Sequence, residues 1–169
     1  MDSMIDAHFI NFVEPKLDNV SFVRVDSDTI DKLIKKEEPM PSLLSEKEQE
    51  ALKKVVESVI GDEKFSVNLE SLSPTDPPML ITRPEFMRRM KDMSALGGGG
   101  GMNMFGTMPD MHNLVVNTNH PLVSKVISEK NEQTQKELLK QACDLALLAQ
   151  GLLKGEELTK FIKRSVELI

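Results

Sequence analysis

Apolar residues recur along the chain with two different periods, and each period predicts one kind of secondary structure. Spacings of three and four residues, typical of amphipathic helices, occur in residues 4–13, 46–60, 84–96, 132–153 and 156–168. Alternation or short apolar runs, typical of strands, occur in residues 19–25, 65–72, 79–82 and 112–118. Helices and strands in this mixture predict an α+β fold, with a small mixed sheet and flanking helices.

Capping residues mark where some of these helices begin and end. Ser45 and Glu48 have the spacing of a capping box, and Gly61 supplies a stop after the apolar stripe of the same helix. Asn119 stands two residues before Pro121, and a proline in the first turn after a polar residue is typical of a helix start. We therefore expect Asn119 to cap a helix that begins at Pro121.

The beginning of the chain has the pattern of an incomplete domain. A short helix, a strand at 19–25 and a second short helix are predicted there, and a unit of this size cannot bury a core alone. Residues 35–42 are charged and contain two prolines, which is typical of a linker. We therefore predict two parts: residues 1–38, the end of a preceding domain, and residues 39–169, a second domain.

Charge and composition narrow the classes of partner. The 169 residues carry a net charge of −6, which argues against nucleic acid because binding phosphates needs clustered Lys and Arg. No apolar run approaches the roughly 18 residues of a membrane span, and the first residues lack the pattern of a secretory signal. Cys143 is the one cysteine and cannot form an internal disulfide. These features predict a cytoplasmic protein without nucleic-acid or membrane partners.

The last two predicted helices carry more apolar surface than one chain can cover. Gly151 and Gly155 flank the joint between them, which predicts a helical hairpin. Residues 145–149 are apolar on every side of the first helix, so this helix is expected to be buried all round. A second copy of the hairpin would complete an intermolecular four-helix bundle, and we therefore expect a homodimer. The predicted interface consists of Leu138, Ala142, Leu145, Leu148, Ala149, Leu152, Leu158, Phe161, Ile162 and Val166.

A methionine-rich helix is predicted at residues 84–96, where Thr82 and Glu85 repeat the capping-box spacing. Its apolar stripe has two interpretations. Packing against the sheet is the commoner role of such a stripe, whereas an exposed binding surface suits the adaptable side chain of methionine. The stripe consists of Phe86, Met87, Met90, Met93 and Leu96.

Five consecutive glycines, residues 97–101, follow this helix. A phosphate-binding loop needs Lys and Ser or Thr after its last glycine, and this run leads to Met-Asn-Met-Phe instead. We therefore interpret the run as a flexible tether. The methionines at 102, 104, 108 and 111, with His112, have the side chains of a soft-metal site, but a single cysteine and no export signal favour two other roles: packing over the sheet or extending the apolar binding surface.

No arrangement of residues predicts catalysis. The three histidines are scattered, and no nucleophile, base or metal-ligand spacing connects them. Cys143 lies among apolar residues of a helix and is expected to be a buried, inert thiol. Lys160 and Arg164 are expected on a solvated face. We therefore predict neither an enzyme nor a bound cofactor or metal for this chain.

Three stretches resemble the C-terminal dimerisation domain of the bacterial HtpG chaperones, the bacterial form of the ninety-kilodalton heat-shock chaperones. They are PEFMRRMKDMSALGGGG at 84–100, MPDMHNLVVNTNHPLV at 108–123, and the closing segment from ACDLALLAQGLL at 142–153 to FIKRSVELI at 161–169. The resemblance covers the whole chain, with residues 39–169 as the C-terminal domain and residues 1–38 as the tail of the middle domain.

The resemblance implies a constitutive homodimer held by the last two helices, and it implies that the stripe within 84–96 binds unfolded or partly folded client proteins. ATP hydrolysis with Mg²⁺ would belong to an N-terminal domain of the family, so this chain is not expected to bind ATP. The closing SVELI lacks the acidic tail that recruits co-chaperones in eukaryotic relatives, so no tail-docked co-chaperone is expected. The alternatives are a stand-alone adaptor or regulatory dimer and, more remotely, an enzyme that uses the glycine run.

Overall fold

A computed structural model of the chain describes residues 6–23, 28–29, 40–61, 65–84, 87 and 112–167. The chain divides into two compact units, Met1–Lys35 with Thr82–Met111, and Lys36–Ile81 with His112–Ile169. In chain order the elements are α1 (Asp6–Val13), a 3₁₀ turn (Glu14–Lys16), α2 (Glu46–Ile60), β1 (Phe65–Glu70), β2 (Met79–Thr82), β3 (His112–Asn117), α3 (Pro121–Ser128), α4 (Glu132–Ala149) and α5 (Gly155–Glu167).

The three strands form one sheet in the order β1-β3-β2. β1 and β3 are parallel, and their register runs from Phe65 opposite His112 to Glu70 opposite Asn117. The Asn117 amide also donates to the Pro78 carbonyl at 2.9 Å, so the end of β3 lies beside the beginning of β2, as in an antiparallel pair. The small mixed sheet expected from the sequence is confirmed.

The core lies between this sheet and the helices of the same unit. β3 is the central strand, and its Leu114 and Val116 are completely buried, as is Val56 of α2. A central strand covered on both faces requires a nearly continuous apolar run, which Leu-Val-Val supplies. The buried cluster comprises Leu52, Val56, Val67, Met79, Ile81, Leu114, Val116, Val123, Val126, Leu139, Ala142, Cys143 and Ala146. The α+β fold with flanking helices is therefore present, and Cys143 is buried as predicted.

The start of α2 confirms the predicted capping box. The Ser45 hydroxyl accepts from the Glu48 amide at 3.4 Å, and a Glu48 carboxylate oxygen accepts from the Ser45 amide at 2.8 Å. The hydrogen bonds from Ser45 lower the pKa of Glu48, because they favour its ionised form. Gly61 ends the helix with a positive φ of 79°, a conformation that glycine adopts without strain.

The prediction that Asn119 caps α3 is wrong. His120 is the capping residue, and its Nδ1 accepts from the Leu122 amide at 3.0 Å. The side chain of Asn119 cannot serve the helix because its oxygen accepts instead from the Leu43 amide at 2.8 Å, far away in sequence.

A buried polar junction, Asn117–Thr118–Asn119, follows directly after β3, and each of its residues is at most 3% exposed. The Asn117 oxygen accepts from the amides of Leu72, at 3.2 Å, and Asn119, at 3.1 Å. Its side-chain nitrogen donates to the Ser73 carbonyl at 2.8 Å. The junction therefore supplies the partners that backbone groups at this end of the sheet need once they are removed from water.

Asn119 also holds the segment before α2, residues 41–44, which we call the strap. Its oxygen binds the Leu43 amide, and its nitrogen donates to the carbonyls of Pro41, at 3.1 Å, and Leu72, at 3.2 Å. One buried amide thus joins the strap to the chain that leaves β1. Part of the segment predicted as a linker, residues 41–42, is built into the domain.

At the beginning of the chain, the first predicted helix is present and the strand predicted after it is not. α1 is present, but residues 20–23 do not form the predicted strand. The Glu14 carboxylate accepts from the Phe22 amide at 2.9 Å and from the Ser21 hydroxyl at 3.0 Å, so a side chain takes the role of a neighbouring strand. The predicted helix after residue 29 and the predicted boundary at residue 38 lie outside the described residues.

Candidate functional site

The outer side of the α4–α5 hairpin is apolar and exposed. Leu145 and Leu148 of α4 are 51% and 41% exposed, and Ile162 and Val166 of α5 are 53% and 67% exposed. Ala149 is exposed beside them. We call these five residues the hairpin face. Exposed apolar side chains on two adjacent helices make this face a candidate site for binding another protein.

The remaining residues of the predicted dimer interface are buried or partly buried within the single chain. Ala142 and Phe161 are 3% and 7% exposed, so both are buried within this chain. The other three predicted residues are partly buried: Leu138, Leu152 and Leu158. Within the single chain only part of the stretch 145–149 is buried, and its burial on every side, expected with a second copy, stays a prediction.

The joint between the helices is a tight turn that depends on two glycines. Gly151 and Gly155 have φ values of 65° and 60°, which residues with a Cβ atom rarely adopt. The Leu152 amide donates to the Leu147 carbonyl at 2.9 Å, which closes the end of α4, and Leu153 is buried at 5% exposure. The turn brings α5 back along α4, as the sequence predicts.

A polar cluster connects the two helices, and we call it the hairpin cluster: Lys140, Gln141 and Asp144 of α4 with Arg164 and Ser165 of α5. Asp144 is 1% exposed. One of its oxygens binds Nη2 of Arg164, and the other binds Nζ of Lys140 at 2.9 Å. Gln141 accepts from Nε of Arg164 and donates to the Ser165 hydroxyl, both at 2.8 Å. Both carboxylate oxygens of the buried acid are therefore paired with cations.

The prediction for Arg164 is wrong, whereas Lys160 remains on the surface. Arg164 is 23% exposed in its side chain and contacts the buried carboxylate of Asp144. Lys160 forms exposed ion pairs with Glu156, at 2.9 Å, and Glu157, at 3.3 Å. These bonds raise the pKa of Lys160, chiefly through Glu156, and Lys160 lowers that of Glu157. Pairs this exposed contribute little to stability.

The sequence did contain a signal for the hairpin cluster. Asp144 stands inside the run Ala-Cys-Asp-Leu-Ala, and an acidic residue flanked by buried positions needs a cation nearby. Arg164 lies on the neighbouring helix of a predicted hairpin, so the pairing could have been proposed. The exact register of the two helices, however, does not follow from either pattern alone.

The predicted client-binding stripe lies almost entirely outside the described residues. Met87 is helical and half-buried, while Phe86, Met90, Met93 and Leu96 fall outside, as do the glycine run and the methionines after it. Within the part of the chain that is described, no helix is long and apolar enough to cross a membrane. Across that same part, no group of three or more His, Cys, Asp or Glu residues could hold a metal ion.

The fold and the hairpin face together define a class of protein: a small α+β domain with a helical hairpin whose outer side is apolar and exposed. No protein-family model matches the chain. Three relatives do match all of it: HtpG chaperones of Porphyromonas gingivalis at 35% identity, Bacteroides fragilis at 31% and Bacteroides thetaiotaomicron at 30%. The chain is thus, over its whole length, a homologue of the HtpG chaperones.

The relationship covers only part of these relatives. The chain spans 34% of their length, about a third. Each alignment extends over 236 residues, which is 67 more than the chain has, so the relatives contain residues in this region that have no counterpart here.

Proposed function

We propose that this chain is the homodimerisation module of an ATP-dependent chaperone, and that the hairpin face binds the same face of a second copy. The observation that carries the proposal is the exposure of Leu145, Leu148, Ile162 and Val166 on two helices that the hairpin cluster holds together. The similarity to HtpG chaperones supports the chaperone context.

Burial of the hairpin face offsets much of the cost of forming a dimer. Fully burying a large apolar side chain contributes about 1.5–3 kcal/mol, and two-fold symmetry doubles the number of such side chains. The four large residues of each copy are about half exposed at the start, so roughly half of that value is gained. The sum is of the same order as the roughly 4–15 kcal/mol that association costs in lost freedom. The partly buried Leu138, Leu152 and Leu158 add area at the edges.

Dimerisation would serve the chaperone by proximity. Two arms joined at one end meet at a high effective concentration, so weak contacts between their far ends become possible. In this proposal ATP and Mg²⁺ act in a part of the protein that the present chain does not cover, and this chain binds neither.

We further propose that the methionine-rich stripe of Phe86, Met87, Met90, Met93 and Leu96 binds clients. Methionine side chains adapt to partners of different shape, and the half-buried position of Met87 leaves part of its surface available. The clients would be unfolded or partly folded proteins, which expose apolar side chains.

The dimer is tested by replacing one residue of the hairpin face. Leu145→Asp removes an apolar contact and would bury an unpaired charge in the interface, yet Leu145 is 51% exposed in the single chain, so the chain should still fold. We expect a dimer mass for the parent protein by light scattering at micromolar concentration, and a folded monomer for the variant.

Leu43→Asp is the matched control, because Leu43 is an equally apolar residue, 70% exposed, and lies in the strap rather than on the hairpin. It should remain dimeric. A monomeric parent protein, or a dimer that survives Leu145→Asp, would contradict the proposed function.

The client surface is tested with Met87→Asp and Met90→Asp combined. If the stripe binds clients, two lost contacts of about 1.5–3 kcal/mol each should weaken client protection by well over tenfold. The melting temperature should change little, since surface substitutions stay within about 0.5 kcal/mol. Aggregation suppression and thermal unfolding are measured on the same variant of the full-length chaperone. A large drop in melting temperature would mean that the stripe belongs to the core.

A further inference from the structure

The apolar contacts between α4 and α5 come from few side chains of α5. Phe161 is buried, at 7% exposure, and Leu158 is partly buried, whereas Ile162 and Val166 are exposed. Leu158 and Phe161 are three residues apart, so sliding α5 by about one turn, roughly 5.4 Å, would bring one close to the position of the other. The hydrophobic effect has no direction, so these two apolar contacts alone fix the register only weakly.

The hairpin cluster does select one alignment. Arg164 donates from Nε to Gln141 and from Nη2 to Asp144 at the same time. The guanidinium group is planar and rigid, so few positions of α5 satisfy both bonds. Gln141 completes the arrangement by donating to Ser165, the next residue of α5, at 2.8 Å. Any slip would leave the carboxylate of Asp144 buried without Arg164, which is costly.

This alignment decides the shape of the hairpin face. Leu145 and Leu148 lie within four residues of Asp144, and Ile162 and Val166 lie within two residues of Arg164. A helix turns by about 100° per residue, so a slip of one residue would rotate Ile162 and Val166 away from the leucines. The hydrogen bonds of the hairpin cluster therefore set the positions of the exposed apolar side chains of α5 relative to those of α4.

We propose that the Asp144–Arg164 pair is a specificity determinant: it fixes the register of α5 against α4 and so restricts the hairpin face to one geometry of pairing with a second copy. The pair acts through the position of the apolar residues rather than by contacting the partner. This inference rests on the proposed dimer. Buried polar groups that fix helix register are known to act in this way at a cost in stability.

The test replaces the pair and measures the geometry of the dimer separately from its existence. The double variant Asp144→Leu with Arg164→Met keeps the volume apolar, and such replacements are often neutral or stabilising. A spin label on Lys163→Cys, an exposed position of α5, reports one distance between the two copies. Cys143 does not interfere with labelling because its buried thiol has a pKa raised to about 11 and stays protonated at neutral pH.

We expect the labelled parent protein to give one narrow distance distribution. The double variant should remain folded and associated while its distribution broadens or splits. A single narrow distance in the double variant, equal to that of the parent, would overturn the proposal. A double variant that fails to fold would also overturn it, because the pair would then be a requirement of the fold.

Two further variants separate the possible outcomes. Asp144→Asn with Arg164→Gln keeps both side chains polar and removes both charges and the guanidinium group, and it should broaden the distribution as well. Lys160→Met removes a cation of the exposed surface and should leave the distance unchanged; a broadening there of equal size would also count against the proposal. Failure of the proposed function is distinguishable from all of these, since a monomeric parent protein gives no distance between copies at all.

Discussion

Burial changes the chemistry of single residues, and Cys143 is the clearest example. Desolvation raises the pKa of its thiol to about 11, against an ordinary value of 9.0, with Lys140 opposing the change and Asp144 adding to it. The folded protein therefore keeps the thiol proton over a pH range in which the unfolded chain has released it. Wherever the folded state binds more protons, stability falls as the pH rises.

We expect stability to depend on this thiol between pH 9 and 11. Below pH 9 the thiol is protonated in both the folded and the unfolded state and has no effect. Above pH 9 the parent should lose stability relative to Cys143→Ala, by roughly 3 kcal/mol at most near pH 11. Urea unfolding of both proteins at pH 8.0, 9.0 and 10.0 measures the difference in slope. Parallel curves would show that Cys143 does not titrate with unfolding.

For single residues, the sequence predicts the properties that depend on residues nearby in the chain. It misses the hydrogen bonds that depend on residues far away in the chain. The burial of Cys143 follows from the apolar residues of its own helix. The role of Asn119 does not, because its partners Pro41 and Leu43 are more than 70 residues away. Asparagine is a preferred capping residue, and Asn119 stands two residues before Pro121, so the local pattern favoured the wrong function for this side chain.

Among the elements, the strap has the most unusual support. Residues 41–44 belong to no helix or strand, yet Leu43 donates its amide to a buried side chain. If the strap were released, it would add up to about 13 Å of extended chain to whatever precedes it, at about 3.3 Å per residue. The strap is therefore held in the folded domain although it lies outside the helices and strands.

Removing its support should release the strap. Asn119→Ala deletes one acceptor and two donor bonds and leaves buried backbone groups unpaired, each at a cost of about 1–3 kcal/mol. We expect hydrogen exchange at the Leu43 amide to accelerate at least tenfold. Asn68→Ala, a half-buried strand position, is the control and should leave this amide protected. Unchanged exchange at Leu43 in Asn119→Ala would contradict the role of Asn119.

Elements with a strong local signal were predictable, and those without one were not. The capping box of α2 and the strands around Val67 and Leu114 follow from spacing alone. The stretch at 20–23 has a strand-like composition but does not form a strand, and the Glu14 carboxylate accepts from the Phe22 amide within it. Pairing with another strand is a property of the fold rather than of the segment.

For the whole molecule, the decisive feature is a surface that the single chain leaves uncovered. The sequence indicated an excess of apolar residues in the last two helices, but it could not divide them into a buried side and an exposed side. The structure makes that division, with Phe161 buried and Ile162 exposed as immediate neighbours. The division depends on the hairpin register, which the hairpin cluster sets through contacts 20 residues apart.

A dimer should melt at a temperature that depends on protein concentration. When unfolding and dissociation are coupled, a tenfold increase in concentration adds about 1.4 kcal/mol per dimer, roughly 0.7 kcal/mol per chain. For a chain of this size we expect the melting temperature to rise by about 1.5–3 °C. Calorimetry at 5, 50 and 500 µM would measure it, with Leu145→Asp as a variant whose melting temperature should not move. Equal temperatures for the parent at all concentrations would contradict a coupled dimer.

The parallel pairing of β1 with β3 also affects how the protein emerges from the ribosome. Each residue of β1 pairs with a residue of β3 that is synthesised 47 positions later, as Glu70 does with Asn117. At about 5–20 residues per second, synthesis of that interval takes roughly 2–9 s. During this time Val67 and Leu69 have no strand beside them, and an unpaired apolar edge is prone to aggregate. Slow codons between residues 71 and 117 should therefore reduce the soluble yield, while the same codons after residue 130 should not.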